Sequence, residues 1–305
     1  MPNTRKEIKL KTLRPVKHEQ LEFLLADNIN ISSVRDEIAS MEHPFFSLKG
    51  GDMRDRIYKN GNVTVIVKST SSGIATIFDK DIWLYCISKL QQKINDNEPV
   101  SRTIVFTPYD FFITTNRDKG GRSYKELEKT LSRLKGTVIT TNIKHGDEKQ
   151  EIIEFGLIDS WRILEEKKGN LNIGMVEVTL PNWLFTAITE TKILKISNDY
   201  FRIRKAIDRR IYEIARKHCG IQYEFEITLD KLQLKTGSTS TKEKFKFNIK
   251  NLAQENNLPD YEIELDVKKN IVKFKNRNPD SKKADAMERI NNGKKRLKEI
   301  KKIFS

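Results

Sequence analysis

The sequence predicts an α+β fold of two tandem winged-helix (winged helix-turn-helix) domains, with a flexible N-terminal arm and a basic C-terminal tail. Three observations favour this fold. The length of 305 residues is typical of two domains. The residue patterns predict a helix, a short strand, two further helices and a β-hairpin in that order twice along the chain. The helix before each hairpin is rich in basic residues.

The predicted boundaries follow changes in composition. Residues 1–40 are charged and weakly patterned, and they form the arm. The first domain covers 41–180 and the second covers 181–277, with the junction near Pro181. The lysine-rich tail covers 278–305, where helically spaced apolar residues indicate a marginal helix that docks on the body or on a partner.

The first copy of the repeated order is introduced by a β-branched strand over 63–67. A helix over 78–95 follows, because apolar residues recur there three and four positions apart. After a short strand over 102–106, Thr107 is the N-cap candidate of a short helix over 109–115. This strand and short helix lead directly into the basic helix of the first copy.

The basic helix of the first copy has a start and a stop signal. Ser123 is predicted to cap it, with Glu126 completing a capping box, and Gly136 ends it as the residue after the last turn. Two β-branched segments, 137–143 and 151–155, then form a hairpin. We expect this hairpin to be the wing of the first domain.

The second copy repeats these signals with low sequence identity. A helix is predicted over 199–218, a strand over 223–227, and a short helix over 229–234 that is capped by Thr228. The basic helix that follows is capped by Thr239, Ser240 or Thr241. Its hairpin consists of 261–266 and 271–274. The order of elements therefore predicts two copies of one architecture.

The net charge restricts the kind of partner. Lysine and arginine total 57, and aspartate and glutamate total 42, which gives a formal net charge of +15 and a pI near 9.6. This surplus favours a polyanionic partner, although a basic surface that only aids solubility also explains it. No run reaches the ~18 apolar residues of a membrane span, and the polar start lacks the apolar segment of a signal peptide. We therefore expect a cytoplasmic protein without a membrane partner.

The two cysteines indicate a reducing compartment. Cys86 and Cys219 fall within apolar helical patterns and outside any C-x-x-C motif. They are predicted to be buried thiols rather than a disulfide or a metal site.

The basic helix of each copy is the candidate for DNA recognition. In a helix-turn-helix protein this helix enters the major groove, while the first helix and the wing hold phosphates. In the first domain Leu127, Leu131 and Leu134 are predicted to face the core. The exposed candidates there are Arg122, Ser123, Lys125, Lys129 and Arg133.

In the second domain Phe245, Ile249 and Leu252 are predicted to face inward. The exposed candidates there are Ser238, Thr239, Ser240, Lys242, Lys244, Lys246, Asn248 and Lys250. The lysines at the predicted hairpin tips, which suit phosphate or minor-groove contact, are Lys144, Lys149, Lys268 and Lys269. A solvated helix face explains any one lysine better, but two basic helices in equivalent positions favour DNA contact.

A further basic run has two interpretations that the sequence leaves open. Its members are Arg202, Arg204, Lys205, Arg209 and Arg210. They could contact the DNA backbone, or they could pair with Asp199, Asp208 or Glu213 on the same segment.

The sequence does not favour an enzyme. A rolling-circle nuclease would need a metal held by histidines. The sequence has no His-x-His pair for such a metal, since its four histidines lie at 18, 43, 145 and 218. There is also no G-x-x-x-x-G-K-[ST] loop for nucleotide phosphates. We therefore expect no catalytic residue, no metal site and no cofactor.

Seven segments carry a resemblance to a known family. They are MEHPFFSL over 41–48, ATIFDKDI over 75–82, GLIDSW over 156–161, DYFR over 199–202, EIARKHCG over 213–220, KTGS over 235–238 and LPDY over 258–261. With these segments the chain resembles plasmid replication initiators of the replication initiator protein A family.

The resemblance implies a non-enzymatic initiator that binds repeated origin sequences (iterons), helps to open the duplex, and recruits the host initiator and replicative helicase. It also implies tandem winged helices and an exchange between origin-binding monomers and self-repressing dimers. A transcriptional repressor with the same fold, including one that acts on its own gene, is the alternative. An origin nuclease is a third interpretation, which would require metal-dependent cleavage of DNA.

One short segment of the arm resembles the motif by which replication proteins bind the polymerase sliding clamp. Its matching residues are Gln20, Leu21, Phe23 and Leu24. An ordinary amphipathic helix explains the pattern at least as well.

Overall fold

The computed structural model of the protein describes residues 13–18, 31, 33–143, 152–168 and 171–280, together with 283, 286, 287 and 290. The predicted clamp motif and two of the predicted hairpin-tip residues, Lys144 and Lys149, therefore lie outside the described residues, as does most of the predicted tail. None of the described helices is long and apolar enough to span a membrane.

The elements of the first part of the chain are β1 (Arg35–Glu37), α1 (Ile38–Glu42), β2 (Arg56–Asn60), β3 (Val63–Lys68), α2 (Asp81–Asn95), β4 (Thr103–Phe106), α3 (Pro108–Thr114), α4 (Gly121–Gly136), β5 (Val138–Thr141), β6 (Ile153–Gly156), β7 (Ser160–Lys168), β8 (Leu171–Thr179), α5 (Asn182–Thr189) and β9 (Ile193–Lys195). A 3-10 helix (Asn198–Arg202) follows, and then α6 (Ala206–Cys219), β10 (Glu224–Thr228), α7 (Leu229–Thr236), α8 (Lys242–Glu255), β11 (Tyr261–Asp266) and β12 (Ile271–Asn276).

The described strands form four sheets, and all pairs between them are antiparallel. Their strand orders are β1-β9, β2-β3-β5-β6, β4-β8-β7 and β10-β12-β11. The described part of the chain contains both helices and antiparallel strands, so the prediction of a mixed α and β fold is confirmed.

The hairpin predicted over 137–155 forms, but it does not lie beside β4 as a wing would. β5 pairs with β6, with Val138 opposite Gly156. β4 pairs instead with β8, and β5 continues onto β3. β3, which buries Val65 and Val67 in the core, thus lies between β2 and β5 in the sheet.

The hairpin of the second copy has the predicted pairing. β10 lies against β12, with Ile227 opposite Val272, and β11 flanks β12 on its other side, with Ile263 opposite Phe274. These four side chains are buried, because alternate residues of an antiparallel strand point to the same face. The sheet β10-β12-β11 therefore covers α6, α7 and α8 with one apolar face.

Three of the predicted helix starts are confirmed by their capping hydrogen bonds. The hydroxyl of Thr107 accepts from the backbone N–H of Asp110 at 3.2 Å and begins α3. Thr228 begins α7 in the same way. Among the three candidates for α8 the cap is Thr241, which accepts from the N–H of Lys244 at 3.3 Å.

Two predicted starts are wrong. α4 begins at Gly121 with no side-chain cap, and Ser123 lies within its first turn. The predicted capping-box partner, Glu126, instead forms an ion pair with Arg133 at 2.8 Å. The helix predicted over 199–218 is interrupted, because a 3-10 turn ends at Arg202 and α6 begins only at Ala206.

The predicted stop at Gly136 has a different physical basis. Gly136 is the last residue of α4 and does not adopt the left-handed conformation of a C′ glycine. A Cβ atom at this position would lie 2.5 Å from Oγ1 of Thr70. The glycine is therefore required by the close approach of α4 to the turn after β3.

The buried apolar side chains form two cores. In the first core α2, α3 and α4 pack against the β2-β3-β5-β6 and β4-β8-β7 sheets around residues such as Trp83 and Phe111. It also includes Ile188 and Ile193 of α5 and β9. In the second core, α6, α7 and α8 pack on the last sheet, and Met41 and Leu84 of the first part of the chain join it. The cysteines Cys86 and Cys219 are buried and unpaired, as predicted.

A buried ion-pair cluster joins the two cores. Nζ of Lys80 lies 2.7 Å from Oδ2 of Asp36 and 3.0 Å from Oε1 of Glu213. Glu213 also accepts from the hydroxyl of Tyr200 at 2.6 Å and from Nη1 of Arg210 at 2.8 Å. Burial raises the pKa of Glu213, but Lys80 and Arg210 outweigh it and hold this pKa below its ordinary value. The carboxylate is therefore charged, and it ties α6 to the start of α2.

The basic run before and within α6 is mostly used for such pairs. Arg202 lies 2.6 Å from Asp199, and the buried Arg209 lies 2.6 Å from Asp81 on α2. Arg210 is also buried and pairs with Glu213. Pairing therefore accounts for these three arginines, and two of the pairs are the ones expected from the same segment.

Candidate nucleic-acid interface

The outward face of α4 is basic. Leu127, Leu131 and Leu134 are buried in the first core, as predicted. Lys125 and Lys129, one helical turn apart, lie on the opposite side and are exposed. Neither forms an ion pair with another described residue, so both ammonium groups are available to an external anion.

The beginning of α4 adds to this basic face. Arg122 is exposed in the first turn of the helix, and Ser123 beside it is half-buried. A Cβ atom placed on Gly120, the residue before the helix, or on Gly121, its first residue, would meet no heavy atom within 4 Å, so the space beside both glycines is open. The N–H of Ser123 donates to the carbonyl of Gly120 at 2.8 Å, so a phosphate could reach the N–H groups of Gly121 and Arg122, where the helix dipole favours negative charge.

Arg133 does not face outward, contrary to the prediction. Its guanidinium donates to both oxygens of the buried Asp79, at 2.7 and 2.9 Å, and to Glu126 at 2.8 Å. The hydrogen bonds to Asp79 raise the pKa of Arg133 further above its ordinary value. Asp79 in turn accepts from the backbone N–H of Thr76 at 2.7 Å. Arg133 therefore fastens α4 to the segment before α2.

The face of α8 carries the second set of predicted residues. Phe245, Ile249 and Leu252 are buried in the second core. Lys244 and Lys250 are exposed and form no ion pair with another described residue. Three further candidates, Lys242, Lys246 and Asn248, are exposed or half-buried.

Two of these lysines already contact the protein. Lys242 forms an exposed ion pair with Asp230 of α7 at 2.9 Å, which is a weak interaction at the surface. Nζ of Lys246 lies 2.7 Å from Oδ1 of Asn270 and 3.3 Å from the carbonyl of Val267, both at the tip of the β11–β12 hairpin. Lys246 therefore positions the hairpin relative to α8.

The hydroxyl residues before α8 are held in a structured turn. Ser238 and Ser240 exchange a hydrogen bond between their hydroxyl oxygens at 2.9 Å, and the carbonyl of Ser240 accepts from Gln233 at 2.8 Å. Thr239 between them is exposed. The turn presents one free hydroxyl group beside the N-terminus of α8, where an anion is favoured.

Gly237 connects this turn to the first part of the chain. It adopts a left-handed conformation, with φ of 68°, and ends α7. A Cβ atom there would lie 2.7 Å from Cβ of Pro44 and 3.0 Å from the hydroxyl of Tyr58. Its carbonyl also accepts from Arg56 of β2 at 3.2 Å. The α7–α8 turn is therefore fixed against β2.

The tip of the β11–β12 hairpin presents the last predicted pair. The backbone N–H groups of Lys268 and Lys269 both donate to Oδ1 of Asp266 at 3.0 Å, while their side chains are exposed. Asn270, which follows them, takes a positive φ of 53°. The turn is therefore closed by the side chain of Asp266, and the two ammonium groups are left for an external partner.

α8 also exposes a large apolar residue that the predicted DNA-binding residues do not include. Phe247 is 61% exposed, although it lies between the buried Phe245 and Ile249. The signal that could have found it is the helical periodicity, which places residue 247 opposite the apolar stripe.

Comparison with known proteins identifies the family. The family model described as replication initiator protein A matches residues 35–263. The chain belongs to the replication initiator protein A family. This family member is also 60% identical over 273 residues to a protein of Wigglesworthia glossinidia brevipalpis that carries the provisional name of replication protein. That match covers 89% of this chain and 98% of the relative, and it confirms the resemblance that the sequence segments carry.

Solved structures give the fold of this replication initiator protein A family member independently. Domains 2 and 3 of RctB match with a TM-score of 0.55 at 10% identity, over 77% of this chain and 94% of the RctB chain. A second structure of these RctB domains matches with a TM-score of 0.50 at 12% identity and the same coverage. At this identity the likeness shows a shared fold alone.

Proposed function

We propose that this protein initiates plasmid replication by binding repeated origin DNA (iterons) sequence-specifically, without being an enzyme. The observation that carries the proposal is that α4 and α8 each turn an apolar stripe to a core and a lysine-bearing face to solvent. Each also follows a short helix that begins at a threonine cap. This is the arrangement that a helix-turn-helix protein needs to place its second helix in the major groove.

We infer two winged-helix domains from the order and pairing of the elements. The second consists of α6, β10, α7, α8 and the β11–β12 hairpin, whose sheet includes β10. In the first, the elements α2, β4, α3 and α4 are completed by the β7–β8 hairpin, because β8 is the strand that pairs with β4. Packing of Ile188 and Ile193 in the first core favours a domain junction after β9 rather than at Pro181.

The buried pairs between the cores support the use of both domains on one DNA site. Arg209 of α6 and Lys80 before α2 each pair with an acid from the other part of the chain. α4 and α8 are thereby held in a fixed relation to each other. A rigid pair of recognition helices selects both the sequence and the spacing of two major-groove faces.

The proposal extends to partners that the family resemblance implies. Bound at the origin, the protein would aid duplex opening and recruit the host initiator and the replicative helicase, and its monomers would exchange with self-repressing dimers. Contact with the sliding clamp through Leu21 and Phe23 stays a prediction. It is tested by clamp binding of the double variant Leu21→Ala, Phe23→Ala against the parent chain.

The decisive experiment is binding of the purified full chain to origin DNA of its own plasmid and to scrambled DNA, across a salt series. We expect a preference of roughly 10³-fold or more for the origin at physiological salt, with protection of direct repeats. Equal binding to both DNAs that collapses with salt would mean that net charge alone drives binding. Protection of only an inverted repeat by a dimer would assign the protein to transcriptional repression instead.

A further inference from the structure

Phe247 lies on the outward face of α8. Successive residues of an α-helix are about 100° apart, so residue 247 lies about 200° from Phe245 and from Ile249. Those two side chains are fully buried, whereas Phe247 is 61% exposed. Its ring forms no part of the second core. The helix therefore carries a large apolar side chain at the centre of its solvent face.

The surroundings of Phe247 are polar and basic. Lys244 and Lys250 lie three residues before and after it, on neighbouring positions of the helix surface, and both are exposed. The other exposed neighbours, Glu243 and Gln254, are polar. A protein partner that covered this face would have to desolvate these groups for the burial of one ring. A polyanion, in contrast, would be attracted by the lysines and needs only one apolar contact.

The DNA major groove offers that single apolar contact. Thymine presents its 5-methyl group there, beside acceptors that the other bases share, and contact with an apolar side chain distinguishes thymine from cytosine. We propose that Phe247 is a specificity-determining residue that packs against the 5-methyl group of a thymine, while Lys244 and Lys250 hold the flanking DNA. This inference rests on the proposed function and adds to it the base that α8 recognises.

The corresponding face of α4 has no such residue. Its outward positions carry Lys125 and Lys129, and its exposed aromatic residue, Tyr124, packs edge-on against Phe112 with ring centroids 5.1 Å apart. We therefore assign the sensitivity to thymine methyl groups to α8 alone.

The experiment uses the full chain and the duplex sites that it enriches from a random-sequence pool. Each thymine of an enriched site is replaced in turn by uracil, which removes only the 5-methyl group. Binding is measured for the parent, Phe247→Ala and Tyr223→Ala. Tyr223 is the matched control, because it is an aromatic residue that is 68% exposed and lies away from α8, just before β10. Thermal unfolding of each variant verifies that it is folded.

We expect uracil at one or two positions to weaken binding of the parent about fourfold, the effect of one methyl group that is no longer buried. Phe247→Ala should bind the thymine and uracil sites equally, and Tyr223→Ala should keep the fourfold difference. A fourfold difference that persists in Phe247→Ala, or no effect of uracil on the parent, overturns the inference but leaves the proposed function intact, since a site was enriched. A change in self-association of Phe247→Ala with unchanged DNA binding also overturns it, by assigning this face to a protein contact. If no sequence is enriched, the proposed function itself fails.

Discussion

Arg209 and Asp81 form a buried ion pair between α6 and α2, with Nη1 2.6 Å from Oδ1 and side chains that are 1% and 2% exposed. Arg209 also donates to the backbone carbonyls of Ile203 and Phe201. Its guanidinium lies 4.5 Å from the centre of the ring of Phe78. All these contacts are desolvated together, so removal of the arginine would leave a carboxylate and two carbonyl groups without their partner.

Arg209→Ala is therefore expected to lower the free energy of unfolding by about 3 kcal/mol. This loss is at the lower end of the range expected when one partner of a buried ion pair is removed, because Asp81 keeps its second partner, Arg117, at 2.9 Å. Urea denaturation measures this change. The control is Arg204→Ala, which removes an exposed arginine from the same basic run and should change stability by less than about 0.5 kcal/mol. Equal losses in the two variants would contradict the assigned role of the pair.

Asp208, in the first turn of α6, predicts a dependence of stability on pH. Burial raises the pKa of its carboxyl group from 3.8 to about 6, with a smaller contribution from Glu255 and an opposing one from Lys205. Because the folded state holds the proton more tightly than the unfolded state does, this group favours folding below pH 4. That advantage is lost as the pH rises through 6.

Asp208→Asn should remove this dependence. We expect the stability of the parent relative to the variant to fall by roughly 2–3 kcal/mol between pH 3.5 and 7, as measured by denaturant unfolding at each pH. Asp280→Asn, which changes an exposed carboxylate, is the control and should leave the pH profile unchanged. A parent-to-variant difference that is constant over this range would contradict the prediction.

Substitution of Gly237 and of Gly61 by alanine distinguishes the cost of backbone strain from the cost of steric contact. Both have positive φ, 68° and 59°, but only at Gly237 would an added Cβ atom meet neighbours within 4 Å. We expect Gly61→Ala to cost about 1 kcal/mol, the strain of the left-handed backbone alone. Gly237→Ala should cost about 3 kcal/mol, because Pro44 and Tyr58 must also move. Thermal unfolding measures both changes, and a similar loss in the two variants would show that the turn does not press on β2.

The sequence predicts local features of this fold better than the pairing of distant strands. Thr107, Thr228 and Thr241 cap helices because each satisfies an N–H group three residues further on, and such a bond is visible in sequence. The sequence does not predict which strand pairs with β4, because both β5 and β8 are rich in β-branched residues and both follow α4. In the structure β5 pairs with β3, and β8 is the strand that pairs with β4.

In the candidate site, too, the sequence predicts local features better than contacts between distant residues. Periodicity places Lys125 and Lys129 on the outward face of α4, and the structure agrees. It also places Arg133 outward, but the buried carboxylate of Asp79, 54 residues earlier in the chain, holds that guanidinium. The spacing of residues along one helix does not predict an ion pair of this kind, because its two partners are far apart in the sequence.

Lys125 and Arg133, two helical turns apart on α4, should therefore respond to substitution in opposite ways. Lys125→Ala and Lys129→Ala are expected to weaken binding to all DNA sequences and to reduce the slope of log affinity against log salt by about one each. Lys242→Ala and Lys244→Ala should do the same through α8. The stability of these variants should stay within about 0.5 kcal/mol of the parent, because the side chains are exposed.

Arg133→Ala, in contrast, should lower the free energy of unfolding by about 3 kcal/mol, because Asp79 would be left buried and without its guanidinium partner. At a temperature where this variant is still folded, its salt slope should equal that of the parent, since the guanidinium group neutralises Asp79 and Glu126 rather than phosphate. Parallel denaturation and salt-titration measurements on the variants compare both quantities directly. A normal stability of Arg133→Ala combined with a reduced salt slope would mean that the arginine leaves Asp79 to contact DNA. The basic face of α4 would then extend over its last turn.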